Sequence, residues 1–319
     1  MTPTTTKLIK RTLFRVLGYT PHPVQLEIHR SRAQRRVVAC GVRFGKSTAA
    51  AMEAVAALLQ PCDSKLGWLV STQYDATDRI FKHVVRVLTT KFAHRVLVNS
   101  PREHRIVVTN LGGGTSELKA KSADRPDGLL GEALDFLIVD EAASLKASVW
   151  QECLAARVLD RKGWCLLIGT PKGTNWFFDE FERGETDVAY QCWQAPTLAN
   201  PHVDRAAIEA ERARLTPELF AQQYEASFLG APKKPCKLCG GPREDVSGEM
   251  TMPKGQSNES YEPPRCPACR MIVDEAGRCL VRRHNQWFAS YQVDSHEHDY
   301  PSMSFYSWHT DGVDVHNWR

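Results

Sequence analysis

Residues 37–48 read VVACGVRFGKST. A β-prone run, a glycine turn, the tripeptide Gly45-Lys46-Ser47 and a helix-forming stretch follow in that order, which is the layout of a phosphate loop. Backbone N–H groups and a helix N-terminus would face a polyphosphate, Lys46 would reach its outer phosphates, and the Ser47 hydroxyl would ligate Mg²⁺. Gly41, Arg43, Gly45, Lys46, Ser47 and Thr48 are the candidate binding residues of this loop. The strict pattern places its first glycine five positions before the second. Cys40 stands there and Gly41 comes one later, so the strand–loop–helix context carries the reading more than the letters do.

Three further segments fit the same chemistry. Residues 134–143 (LDFLIVDEAA) are an apolar run ending in paired acids. Asp140 would hold Mg²⁺ through water, and Glu141 would polarise the water that attacks a γ-phosphate. A solvated turn or a negatively charged helix start would use the same pair. Residues 165–173 (CLLIGTPKG) are a strand ending in a polar turn. Parallel sheets bind ligands at such carboxyl ends, which makes Thr170 a candidate γ-phosphate sensor, against a simple strand–helix turn. Gln25 lies roughly 20 residues before Lys46. Its amide could donate to and accept from an adenine edge, or it is an ordinary surface glutamine.

Cys236-Lys-Leu-Cys239 and Cys266-Pro-Ala-Cys269 form two CxxC pairs. Four thiolates close a tetrahedral Zn²⁺ site with no open position, hence a structural one; disulfides or free thiols are the alternative. Cys279, His284, His296 and His298 are alternate ligands, and Cys40, Cys62, Cys153, Cys165 and Cys192 read as small buried apolar residues.

The elements that position these groups follow from patterning. The 319 residues are 42% hydrophobic and 24% charged, a globular composition that excludes collagen-like and wholly disordered chains and suggests about two domains. No apolar stretch approaches the roughly 18 residues of a membrane span. The basic first 20 residues lack the apolar core and cleavage site of a signal peptide. Net charge is +4, yet residues 1–48 carry ten basic side chains against one acid, Glu27. Such an end suits a polyphosphate partner, or is a solvated helix face. Strands are predicted at residues 37–39, 66–71, 105–109, 134–139 and 164–168. Helices are predicted at 48–60, 76–88 and 204–228, the last restarting at Pro217. Strands alternating with helices, several of them unbroken apolar runs, predict an α/β fold with a parallel sheet covered on both faces. Composition shifts near Gly230.

The order and spacing resemble the large subunit of tailed-phage terminases. The matching stretches are HPVQLEIHRS, GVRFGKS, SADRPDGLLGEALDFLIVDEAA, LLIGTPKGTNWFFDEF and LTPELFAQQYEASFLG, within roughly residues 18–230. The resemblance implies a P-loop NTPase of the additional-strand, catalytic-Glu type with a mostly parallel central sheet over 1–230. A zinc-ribbon-like module at 231–284 and the start of a further domain at 285–319 would follow. It implies Gln25 at adenine, Gly45, Lys46 and Ser47 at the phosphates, Asp140 and Glu141 as the acid pair, and Thr170 in the segment coupling hydrolysis to movement. The implied activity is Mg-ATP hydrolysis driving double-stranded DNA into a procapsid. The implied partners are DNA, the portal protein, the terminase small subunit and other copies in a ring, at the portal vertex in the host cytoplasm, with no membrane. Val42 stands where terminases usually carry an arginine, with Arg43 beside it. Leu130 stands where many carry the arginine finger that acts on a neighbouring subunit, which leaves Arg125 as a replacement candidate. A nuclease follows in the family; too few residues remain here to build one, and no nuclease activity is expected of this chain. A helicase-like translocase would need a second motor domain. A non-enzymatic zinc-ribbon DNA-binding or assembly protein is disfavoured by intact Lys46, Asp140 and Glu141, while Val42 and Leu130 leave it open.

Overall fold

The computed structural model describes residues 10–230 and the strand residues 281–283 and 286–288. The chain divides into two compact units after Gly230. In the first, helices α1 (Lys10–Leu17) and α2 (Pro23–Arg30) precede strand β1 (Arg35–Cys40) and helix α3 (Lys46–Leu59). Then come β2 (Ser64–Ser71), α4 (Tyr74–Lys91), β3 (Val96–Ser100), β4 (Arg105–Thr109), β5 (Thr115–Ser122), β6 (Phe136–Asp140) and β7 (Trp164–Gly169). Helix α5 (Trp176–Glu182), strand β8 (Tyr190–Ala195) and helices α6 (Arg205–Arg214) and α7 (Pro217–Tyr224) complete the unit. In the second unit, β9 (Val281–Arg283) and β10 (Gln286–Phe288) pair antiparallel.

The eight strands form one sheet in the order β3-β4-β5-β2-β6-β7-β1-β8. From β5 to β8 every pairing is parallel; only β3–β4 and β4–β5 are antiparallel. Strand β7 lies between the phosphate-loop strand β1 and the acid-pair strand β6. The central strands are apolar throughout because both faces are covered. Val38, Cys40, Ile138 and Ile168 face one core beneath α3 and α4, while Val37, Ala39, Val139 and Leu167 face the other. Strand β5 escapes sequence prediction because its buried alternate positions are Ser116, Leu118, Ala120 and Ser122, half of them polar.

Helix α3 is buried from Ala49 through Leu59. Its alanines let it lie close to the sheet at no side-chain entropy cost. One carboxylate, Glu53, sits inside it with no exposed surface. Three basic groups converge there: Arg36 Nη1 at 2.6 Å, His29 Nδ1 at 2.7 Å and Lys10 Nζ at 2.8 Å. Part of the basic N-terminal charge is thus spent inside the fold, while Arg43 and Lys46 of the same stretch stand in the phosphate loop. Lys10 and Arg36 balance a buried acid, and Arg35 donates to Ala155 O at 2.9 Å.

Cys40, Cys153 and Cys165 are buried, as expected, but Cys62 and Cys192 are only half-buried. Cys62 Sγ instead accepts from Asn110 Nδ2 at 3.3 Å. The zinc candidates Cys236, Cys239, Cys266 and Cys269 lie outside the described residues, as do Cys279, His284, His296 and His298.

Candidate active site

The phosphate loop leaves the carboxyl end of β1 and closes into α3. Gly45 caps that helix at φ 96°, a left-handed conformation open to glycine at no steric cost. Gly41 is required by proximity: a Cβ there would fall 2.5 Å from Thr197 Oγ1 and 2.6 Å from Tyr224 O. The loop is thus pressed against α7 and the segment after β8. Val42 N donates to Gln223 O at 2.8 Å, Thr197 Oγ1 donates to Val42 O at 2.6 Å, and Asn200 Nδ2 donates to Arg43 O at 2.8 Å. Arg43 is exposed at φ 62° and lines a groove of about 580 Å³ with His202, Val203, Ile208 and Tyr224.

On its other side the loop meets the start of α2. Pro23 opens that helix, and His22 and Gln25 form a reciprocal cap. His22 Nε2 donates to Phe44 O at 3.0 Å, and Gln25 Nε2 donates to Gly45 O at 3.2 Å. Gln25 Oε1 accepts from His22 N at 3.2 Å, and the Tyr19 hydroxyl, 3.2 Å from the same oxygen, donates its proton to His29 Nε2 at 3.0 Å. Gln25 is 5% exposed. In this geometry the amide faces the loop and the helix cap, with Nε2 on Gly45 O and Oε1 on His22 N.

Lys46 Nζ lies 2.7 Å from Thr170 Oγ1 and 3.4 Å from Gly41 O. Strands β1 and β7 are neighbours (Ala39 opposite Gly169), which brings residues 124 positions apart into contact. Ser47 and Thr48 are half-buried on the first turn of α3. Asp140 ends β6 at 2% exposure, and its Oδ1 has no hydrogen-bond partner. Burial, reinforced by the Glu141 charge, pushes its carboxyl up to about 6, against the opposing pull of Lys46 and Arg79. Glu141 is half-buried and left-handed at φ 52°. For a glutamate that backbone is strained, a pattern that clusters at functional sites.

Sequence reasoning missed Arg79. It sits on α4, which follows β2, and β2 pairs with β6; that neighbourhood exists only in the sheet order. Arg125 is exposed beyond the end of β5, four strands from β1. At the usual strand spacing the end of β5 stands about 19 Å from that of β1. The fold therefore gathers the loop, Asp140, Glu141, Thr170 and the Gln25 helix start, and leaves Arg125 apart.

The acid-pair and Thr170 turns are also tied together. Asn175 Nδ2 donates to Ala143 O at 2.8 Å, and Trp176 Nε1 to Leu145 O at 2.7 Å. Gly173 N donates to Gln222 Oε1 of α7 at 3.0 Å. Loop amides, a lysine, a buried acid with an unused oxygen and a second acid beside it can hold a polyphosphate with its metal and activate water.

Comparison with known proteins agrees with this arrangement. The family described as terminase large subunit, T4likevirus-type, N-terminal, matches residues 38–232. The large terminase subunit of Thermus phage G20c is 44% identical over 244 residues, covering 68% of this chain and 50% of the relative. The solved ATPase domain of the Thermus phage P74-26 large terminase aligns with a TM-score of 0.62 at 36% identity, over 68% of this chain and 98% of that domain. The large terminase of a thermophilic bacteriophage, solved in complex with ADP, shares the fold at a TM-score of 0.56 and 14% identity, over 65% of this chain and 53% of that one. The chain spans about half the length of the curated relatives it matches.

Proposed function

The chain belongs to the terminase large-subunit family through its N-terminal ATPase domain, and from that premise we propose that it hydrolyses Mg-ATP to drive double-stranded DNA into a phage procapsid. The observation that carries the catalytic part is Asp140, a buried carboxylate with an orphaned oxygen beside Lys46 and Glu141. An unpartnered hard oxygen suits Mg²⁺, which takes oxygen ligands, and Ser47 is the hydroxyl the loop would add. When bound, Mg²⁺ neutralises charge on the phosphate oxygens.

The chain's own residues divide the remaining work. The amides of Gly45, Lys46 and Ser47 bind phosphate oxygens. Lys46 exchanges the Thr170 hydroxyl for the γ-phosphate. Glu141 orients the attacking water and takes up its proton. Thr170, released when Lys46 moves, passes the change along its turn to α5 and, through Gln222, to α7. The base and ribose lie in the groove beside Arg43, Val203 and Tyr224. Arg125, exposed beyond the end of β5, serves a neighbouring copy in a ring. DNA is held mainly through its phosphates, so binding falls with salt. The portal, the small subunit and the procapsid vertex in the host cytoplasm are the setting this family membership suggests. The four-cysteine zinc site rests on CxxC spacing alone, and metal content of the purified protein tests it: less than about half an equivalent of zinc would remove it.

The deciding experiment is ATP turnover with and without double-stranded DNA, comparing wild type with Glu141→Gln. Turnover by wild type that disappears in the variant, with nucleotide binding retained, supports the reading. No wild-type turnover even with DNA and portal present refutes it.

A further inference from the structure

Two side chains one helical turn apart each hold one carbonyl of the phosphate loop. His22, the cap of α2, donates to Phe44 O, and Gln25, three residues on, donates to Gly45 O. A trans peptide is planar, with its N–H pointing opposite to its C=O. Fixing the Phe44 carbonyl therefore fixes the direction of the Gly45 N–H, and fixing the Gly45 carbonyl fixes that of Lys46. These are consecutive amides of the phosphate-binding turn.

We propose that His22 and Gln25 are positioning residues that preset the Gly45 and Lys46 amides for a polyphosphate, so that both contribute to nucleotide affinity through the phosphates. The inference rests on the ATPase reading above and deepens it. Both side chains are built into place. His22 is 6% exposed and stands edge-on to the Phe44 ring, with centroids 4.8 Å apart. The orientation of the Gln25 amide is fixed at both ends. Its oxygen faces the His22 N–H, so its nitrogen must face Gly45 O. The amide is 5% exposed, which turns it toward the loop it holds rather than toward solvent. The amide's hold on Gly45 also accounts for the glycine itself: a Cβ there would lie 2.7 Å from Gln25 Nε2.

The test compares two probes, Mg-ATP and inorganic Mg-tripolyphosphate, the second lacking a base. Binding is measured by calorimetry or by competition with a fluorescent nucleotide, on wild type, His22→Phe, Gln25→Leu and Gln25→Glu. His22→Phe keeps the ring contact with Phe44 and removes the donor. Gln25→Leu keeps the shape and removes the amide. Both variants are expected to lose about tenfold in affinity, by equal factors for the two probes, with KM for ATP rising while kcat stays within about twofold. His22→Gln, which restores a donor of similar reach, is expected to recover part of the loss. Gln25→Glu, whose carboxylate would face Gly45 O, should lose at least as much as Gln25→Leu. Melting temperatures close to wild type show that the variants are folded. Loss confined to Mg-ATP, with tripolyphosphate binding unchanged, would assign Gln25 to the base and overturn the proposal. Unchanged affinity for both probes overturns it as well. A wild type that binds neither probe overturns the ATPase reading and this inference with it, whereas binding by wild type with no differential in the variants overturns this inference alone.

Discussion

Replacing Asp140 by Asn should make the nucleotide-free protein more stable while abolishing hydrolysis. In the folded chain this carboxyl is raised from 3.8 to about 6, chiefly by burial and then by Glu141. Between those values the folded state binds more protons than the unfolded state. Wild-type stability therefore falls as pH rises through this window, and the penalty is present in full above it. A shift of about two units corresponds to roughly 3 kcal/mol at most, at about 1.4 kcal/mol per unit. Asparagine carries no charge to desolvate and nearly the same shape, so it removes the penalty. Thermal or urea unfolding at pH 8 is expected to show a gain approaching that figure, about 6–12 °C for a domain of this size. At pH 5 about half of the gain should remain, and at pH 4 little, because wild-type Asp140 is then largely neutral when folded. A second arm reverses the order. Saturating Mg²⁺ with a slowly hydrolysed ATP analogue should stabilise wild type, by about 2.7 kcal/mol at a hundredfold excess over Kd, and the variant far less. A variant no more stable than wild type at pH 8, or a gain that does not change with pH, would refute the reasoning.

Other outcomes follow from the same contacts. Glu53→Gln leaves Arg36 buried without its counter-charge and should cost about 3–5 kcal/mol in urea unfolding, while adding Arg36→Met to it should restore part of the loss. Burial raises the Glu53 carboxyl, but Arg36, His29 and Lys10 together hold it below its usual 4.5. Its contribution is therefore present above about pH 4.5 and lost as pH falls further, which a stability–pH profile of wild type against the double variant reads out. Gly41→Ala forces the new methyl into Thr197 and Tyr224 and should cost about 1–3 kcal/mol together with weakened ATP binding. Thr170→Val removes the hydroxyl that holds Lys46 and is expected to leave ATP affinity within a few-fold while reducing DNA-stimulated turnover at least tenfold, as measured by paired binding and steady-state assays.

Much of the site was legible before any fold. Gly45-Lys46-Ser47 after a β-prone run, Asp140-Glu141 after an apolar one and Thr170 after a third all announce strand ends, because hydrophobic runs and glycine turns are local signals. The helices at residues 46–59 and 74–91 were readable for the same reason, to within a few residues at either end. Strand β5 was not, since its inward positions include two serines, and β8 was not, since Tyr190, Gln191 and Gln194 interrupt its apolar pattern. Composition counts the basic charges of the N-terminal stretch without showing that Lys10 and Arg36 are engaged by a buried acid. Glu53, within a run of alanines and other apolar residues, gave no sign that Lys10, His29 and Arg36 would gather on it.

The chemistry of this protein is thus set by its sequence: which side chains carry charge, which glycines permit a phosphate-binding turn, and which carboxylates end an apolar strand. Such properties belong to single residues and their immediate neighbours. Tertiary structure decided the rest, because parallel strands are joined by crossovers and sheet order does not follow chain order. Only the insertion of β7 between β1 and β6 sets Thr170 against Lys46. Only the pairing of β2 with β6 brings Arg79 to Asp140, and only the seating of α2 on the loop sets Gln25 against Gly45.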